Sequence, residues 1–230
     1  MKISAIIPVY NSSKILEDAY KNIDNQLKKI TDNYEILFRD DGSKDDSRDV
    51  LNKLVKKKNI KVFFNEGNRG LGYTLRNLFN DSKGEFIIYF DADAYLCFDL
   101  GLLNHFIEKM KDVDVIIASR YEKHTRKIQF YRVYPSRIYN VINNVLFNLD
   151  IEDIGSGFVI FKKNALNNID LQSNDFDVHI ELFAKLKKAG YKIEEIPVNY
   201  NHWYGGSFDV FKHGPKTLLN TFKIWYRLRK

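Results

Sequence analysis

Ile3-Ser-Ala-Ile-Ile-Pro-Val9 and Glu35-Ile-Leu-Phe-Arg-Asp40 bracket a stretch in which Ile15, Ala19, Ile23, Leu27 and Ile30 recur at helical spacing. The outer runs have the length and β-branched content of buried strands, and the middle has a period of 3.6, so residues 3–40 read as strand, helix, strand. Ser12 or Ser13 is expected to cap that helix. A helical crossover of this length joins parallel strands. Outward from this unit the alternation repeats. Ser43 is expected to cap a second helix, with Asp45 and Asp46 in the first turn where the helix dipole favours acids. Further strands are predicted over 61–65, 86–91 and 113–119, and helices over 71–79 and 102–110. The fold class is therefore α/β, a mostly parallel central sheet with helices on both faces.

The rhythm changes after Arg120. Residues 120–137 carry Arg120, Lys123, Arg126, Lys127, Arg132 and Arg137 against Glu122 alone, and read as a long loop entering a helix over 136–148. Strands over 156–162 and 193–199 then flank a helix over 175–189. No linker or repeat divides the chain, so residues 1–208 are expected to form one domain, with 1–119 and 120–208 as its two halves. The 230 residues hold 36 Lys and Arg against 30 Asp and Glu, a net charge of +6. Residues 209–230 form a tail, and from 210 on Lys212, Lys216, Lys223, Arg227, Arg229 and Lys230 stand without an acid and supply the whole excess. With 44% apolar and 29% charged residues the composition is that of a folded globule and excludes a disordered chain. No apolar run reaches the ~18 residues of a membrane span, and strand-like sequence starts at once, so neither a span nor a signal peptide is expected. A lone Cys97 fits a reducing, cytoplasmic setting.

In open parallel sheets, ligands bind beyond the carboxyl ends of the strands. Here those ends read Pro8-Val-Tyr10-Asn11, Asp40-Asp41-Gly-Ser43 and Asp91-Ala92-Asp93. Carboxylates converging on one rim repel one another unless a cation or hydrogen-bond donors neutralise them. In an extended segment residues i and i+2 point the same way, so Asp91 and Asp93 are expected to face one Mg²⁺ or Mn²⁺ together with a diphosphate. Gly67-Asn-Arg-Gly70-Leu-Gly72 follows the third strand, where its backbone N–H groups can approach a phosphate or ribose. Neither a Walker-type loop nor a Gly-x-Gly-x-x-Gly after the first strand is present.

Taken in order, Pro8-Val-Tyr-Asn11, Asp40-Asp-Gly-Ser43, Asn68-Arg-Gly-Leu-Gly72 and Asp91-Ala-Asp93 resemble the inverting family-2 glycosyltransferases of the Rossmann-like GT-A fold. Ala118-Ser-Arg-Tyr121, Gly155-Ser-Gly-Phe158 and Gly190-Tyr-Lys-Ile-Glu-Glu-Ile-Pro197 are similar to the polyprenyl-phosphate branch, the dolichyl-phosphate mannose synthases among them. The resemblance implies that Pro8, Tyr10, Asn11 and Asp41 hold the nucleotide of a UDP- or GDP-hexose, with Asp40, Gly70 and Ala92 nearby. It implies that Asp91 faces the ribose and diphosphate, that Asp93 takes the metal, and that Arg120, Arg132 and Ser136 cradle an acceptor phosphate. The chain departs from the pattern at Ser12, Val159, His202 and Phe208. His202 is a third metal ligand, a phosphate contact or a packing partner of Trp203.

The reaction implied is a metal-assisted in-line displacement moving a hexose, of mannose or glucose type, to a polyprenyl phosphate. A phosphate monoester arrives anionic and needs positioning by Arg more than deprotonation. The alternative acceptor is a sugar hydroxyl of a glycan, which needs a general base, and Asp153 is the candidate for it, with Glu152 second. His179 either belongs to an ordinary helix face or looks into the acceptor side. In the tail, Leu218, Leu219, Phe222, Trp225 and Tyr226 share one arc of a helical projection and basic residues another, so a basic amphipathic helix resting on the cytoplasmic face of a membrane is expected. Its alternative is a helix docked on the domain. Nucleic acid is not an expected partner.

Overall fold

The computed structural model describes residues 1–121, 130–201 and 210–229, with the backbone alone for 130–137 and 210–212. The elements run β1 (Ile3–Val9), α1 (Leu16–Ile30), β2 (Tyr34–Asp40), α2 (Ser47–Leu54), β3 (Ile60–Phe64), α3 (Leu71–Asp81), β4 (Phe86–Phe90), α4 (Ala94–Cys97), α5 (Leu103–Lys109), β5 (Val115–Ser119), α6 (Phe130–Phe147), β6 (Phe158–Lys162), α7 (Lys163–Asn167), α8 (Val178–Lys188), β7 (Ile193–Pro197) and α9 (Val210–Arg229). The strands form one sheet in the order β3-β2-β1-β4-β6-β5-β7. Every pairing is parallel except those of β6, which runs against both β4 and β5. One sheet thus spans both expected halves of the domain.

Each face of the sheet buries its own cluster. Ile3, Ala5, Ile7, Ile36 and Phe38 point to the side covered by α1, α2 and α5. Ile6, Leu37, Ile87 and Tyr89 point to the side covered by α3 and α8. Alternate residues of one strand serve opposite layers, which is why these strands are apolar almost throughout.

The helix caps differ from expectation. α1 starts after Ile15, and Ser12 and Ser13 are used otherwise: their backbone N–H groups donate to Ser47 Oγ (2.9 Å) and Asp45 Oδ2 (3.0 Å). α2 starts after Asp46, and Ser43 Oγ accepts the Asn11 N–H at 2.8 Å. These serines lace the β1 and β2 loops together. α6 begins at Phe130, six residues ahead of the expected 136, and β7 ends at Pro197. α9 is docked on α6 and α8. Its buried side is Thr217, Thr221 and Ile224, and Ile224 lies outside the expected apolar arc. Leu219, Phe222 and Tyr226 of that arc are exposed instead.

Candidate active site

The antiparallel run of β6 decides what meets at the rim. Phe158 pairs with Phe90, so the turn Gly155-Ser156-Gly157 lies beside the end of β4. The Asp91 N–H donates to the Gly157 carbonyl at 2.8 Å, and a Cβ on Gly157 would sit 2.3 Å from Asp91 Oδ2. Glycine is required there by the carboxylate itself. On the other side the Tyr89 hydroxyl donates to Asp91 Oδ1.

Asp93 is not part of an extended segment. Its φ of −96° and ψ of 4° place it in a turn that opens α4, closed by Ala94 N–H to Asp91 O at 2.9 Å. The turn, and not a strand pleat, brings the two carboxylates together. Burial first and the Asp93 charge second raise the Asp91 carboxyl above its usual range, against Tyr89, His179 and Arg120. Burial raises Asp93 as well, against the Arg120 charge. Two partly buried carboxylates, both raised by burial and one also by its neighbour's charge, are a donor set that a hard divalent cation neutralises. Among the described residues no third His, Cys, Asp or Glu joins them. His202, expected as the third ligand, lies outside the described residues, as do the side chains of Arg132 and Ser136.

Arg120 follows β5 and is held by Asp153. Its Nε and Nη2 donate to the two Asp153 oxygens at 2.8 and 2.6 Å, and its backbone N–H adds a third bond at 2.8 Å. Nη2 also reaches the Gly155 carbonyl at 3.0 Å. Asp153 is 1% exposed. As a general base it would need an oxygen open to an acceptor, and its oxygens are instead taken by Arg120. Its role in this geometry is to aim the guanidinium, which is close enough to Asp91 and Asp93 to oppose their protonation. Behind it, Glu195 on β7 accepts the N–H groups of Glu152 and Asp153, both at 2.7 Å. Glu152, second choice as base, is exposed.

The β1 and β2 loops form the other wall. Asn11 adopts a left-handed φ of 51° and accepts the Lys44 N–H at 2.8 Å through Oδ1. Pro8 and Tyr10 are half-buried beside it, and Ala92, in the middle of the Asp91–Asp93 turn, is buried. Asp40 is fully buried and accepts from Arg48 Nε (2.9 Å) and the Ser43 N–H. Asp41 accepts from Asn65 Nδ2 (2.9 Å), the Arg69 N–H (2.8 Å) and the Gly70 N–H (2.9 Å). Both acids therefore shape the wall, with Asp41 fixing the loop 67–70. Gly70 and Gly72 serve packing: a Cβ on either would meet the carbonyl of Asn174 or Ser173, at 2.3 and 2.2 Å.

The sequence assigned no site role to Tyr89, Gly157 or Glu195, although the last two lie within the motifs that carry the family resemblance. His179 on α8 is buried next to Tyr89, with ring centroids 5.8 Å apart, and burial lowers its imidazole. The charges of Asp91, Arg120 and Asp153 all act on it, so it lies behind the rim between the two carboxylates.

The chain matches the model of glycosyl transferase family 2 over residues 4–170. It is 30% identical to a dolichol-phosphate mannosyltransferase of Pyrococcus furiosus over 235 residues, covering 100% of this chain and 64% of that protein. A dolichyl-phosphate beta-glucosyltransferase of Dictyostelium discoideum is 26% identical, over 98% of this chain and 74% of its own length. The chain spans less than two thirds of the Pyrococcus relative and 33% of the glycosyltransferase AglD of Haloferax volcanii. Among solved structures, a mannosyltransferase of Pyrobaculum calidifontis in complex with GDP-Man and Mn²⁺ superposes with a TM-score of 0.68 at 16% identity, over 100% of this chain and 64% of that one. Glucosyl-3-phosphoglycerate synthase of Mycobacterium tuberculosis with Mn²⁺ and UDP-glucose gives 0.71 at 14%, over 97% and 78%. The fold is thus that of the GT-A glycosyltransferases, and with the family model covering most of its length the chain belongs to glycosyl transferase family 2.

Proposed function

We propose that the chain carries the catalytic domain of a metal-dependent inverting glycosyltransferase that moves a hexose from a nucleotide-diphospho-sugar to a polyprenyl phosphate. The observation that carries this reading is the Asp91–Asp93 pair, drawn together by a turn and faced by the Arg120 guanidinium. A bound Mg²⁺ or Mn²⁺ would stabilise the departing diphosphate and be held by Asp93 and Asp91, with His202 the third candidate ligand. Pro8, Tyr10 and Asn11 line the place for the base and ribose, and Asp40 and Asp41 keep that wall rigid. Gly70, tied to Asp41 through its N–H, and the small Ala92 complete that wall.

On the acceptor side, Arg120, Arg132 and Ser136 are assigned to the phosphate. An incoming phosphate monoester is already anionic, so it needs an aimed cation and no base. Asp153 supplies that aim. The same pairing disfavours a glycan hydroxyl as acceptor, because the base it would require is occupied.

The acceptor also requires a lipid surface. No helix among the described residues is long and apolar enough to cross a membrane. However, α6 and α9 pack side by side and each exposes an apolar row, Ile138, Val141 and Val145 on one, and Leu219, Phe222 and Tyr226 on the other. With Lys223, Arg227 and Arg229 beside them, these rows suit an anionic leaflet, assigned here to the cytoplasmic side.

The test is nucleoside diphosphate release from a panel of UDP- and GDP-hexoses, with and without a short polyprenyl phosphate. Release stimulated by the lipid and lost in Asp93→Ala is expected. Release indifferent to the lipid but stimulated by an oligosaccharide would replace the proposed acceptor with a glycan hydroxyl.

A further inference from the structure

Away from the Asp91–Asp93 rim, a pocket of about 370 Å³ opens between α9 and the segment 172–177 that leads into α8. Lys223, Arg227 and Asn220 of α9 form one side, and Gln172, Ser173 and Asp177 the other. The floor is built rigidly. Arg76 Nη1 on α3 donates to the carbonyls of Leu171 and Ser173 at 3.0 and 3.1 Å, and Glu181 Oε2 accepts the N–H groups of Gln172 and Ser173 at 2.9 and 2.7 Å.

The charges of the lining are unequally engaged. Asp175, also at the edge, is paired with Lys216 at 2.5 Å, and Asp177 accepts from Asn220 Nδ2 at 3.2 Å. Arg227 donates to the neutral amide oxygen of Gln172 at 2.5 Å, and Lys223 makes no ion pair among the described residues. Ser173 is 5% exposed, and its side chain lies against the Glu181 carboxylate that also accepts its backbone N–H at 2.7 Å. With Asp175 paired to Lys216 and Arg227 bonded to a neutral amide, the two cations lining the pocket can take an anion that enters from outside. Lys and Arg side by side suit phosphate oxygens, while the amides and Asp177 suit hydroxyls.

We propose that this pocket binds a phosphate ester of a small polyol, with the phosphate against Lys223 and Arg227 and the hydroxyls toward Asn220 and Asp177. The volume lies in the range of small-ligand sites. Because Lys223 neighbours the exposed row Leu219, Phe222 and Tyr226 on α9, such a headgroup can reach the pocket from a lipid surface as well as from solution. The site is separate from the sugar-transfer centre, and its failure would leave that reading intact.

The experiment titrates the full 230-residue chain by NMR with glycerol 3-phosphate, and in a second arm with phosphatidylcholine vesicles with and without phosphatidylglycerol. The variants are Lys223→Gln/Arg227→Gln, the milder Ser173→Ala, and a charge-matched control, Lys53→Gln/Lys56→Gln, on the opposite face of the sheet. Saturable shifts centred on 172–177 and 220–227 are expected, weakened about tenfold in the double variant, less in Ser173→Ala, and unchanged in the control. Saturation by glycerol 3-phosphate identifies a soluble ester as sufficient. Lys223-dependent shifts at 172–177 with phosphatidylglycerol vesicles and none with glycerol 3-phosphate identify the lipid headgroup, while vesicle binding that leaves 172–177 unshifted is leaflet attraction alone and overturns the proposal. Absence of saturation in both arms, or equal weakening in the charge-matched control, overturns the proposal.

Discussion

Gly157 lacks a side chain because the Asp91 carboxylate fills the space that a Cβ would take. Gly157→Ala is therefore expected to displace Asp91 and lower sugar transfer about a hundredfold, in line with the cost of an ångström-scale misplacement. Thermal unfolding measured in parallel separates this from loss of fold, since the clash is with one side chain at the rim. Asp153 is the second residue where geometry changes the expectation. Asp153→Asn leaves the Arg120 guanidinium without its charge partner and should cost about 2 kcal/mol of stability in urea unfolding, besides reducing transfer. A residue acting solely as a base would lose the rate and keep the stability. Asp45 gives a pH-dependent case. Burial raises its carboxyl, but hydrogen bonds from Ser47 and Ser13 outweigh that and hold it at about 2. A depressed folded pKa contributes stability that is complete above the unfolded value of about 3.9 and disappears as the pH falls toward 2. The stability gap between the wild type and Asp45→Asn should accordingly be widest at neutral pH and close between pH 4 and 2.

At the scale of elements, the β–α alternation was legible because each strand is a short apolar run and each helix carries a 3.6-residue period. Leu16, Ala19, Ile23 and Leu27 of α1 are all buried, as that period requires. The direction of β6 was not legible, since nothing local in Phe158-Val-Ile-Phe-Lys162 marks it as antiparallel. That reversal is what sets Gly157 against Asp91, so the sequence placed Asp91 and Asp93 at the rim without showing what surrounds them. The Asp153–Arg120 pairing spans 33 residues and depends on the same topology. Charge pattern alone likewise could not choose the docked side of α9, because Thr217 and Thr221 are small enough to pack and polar enough to look like surface. The two sides of α9 have opposite consequences. Ile224→Ala on the buried side is expected to cost about 3 kcal/mol in urea unfolding. Leu219→Ser/Phe222→Ser/Tyr226→Ser on the exposed side should leave unfolding nearly unchanged and abolish sedimentation with anionic vesicles.

For the whole molecule, a single mixed sheet carries a loop-laced wall on one side of its rim and an arginine aimed by a buried carboxylate on the other. Asp91 and Asp93 lie between them, raised by burial and, at Asp91, by the neighbouring charge. The account requires a divalent cation to make this rim attractive to a diphosphate, and calorimetric titration with GDP and UDP, each with Mn²⁺ and with chelator, tests that requirement. One nucleotide should bind at least tenfold more tightly with Mn²⁺ than with chelator, and Asp93→Asn should erase the difference without unfolding the chain. Metal-independent binding, equal in the wild type and Asp93→Asn, would contradict it.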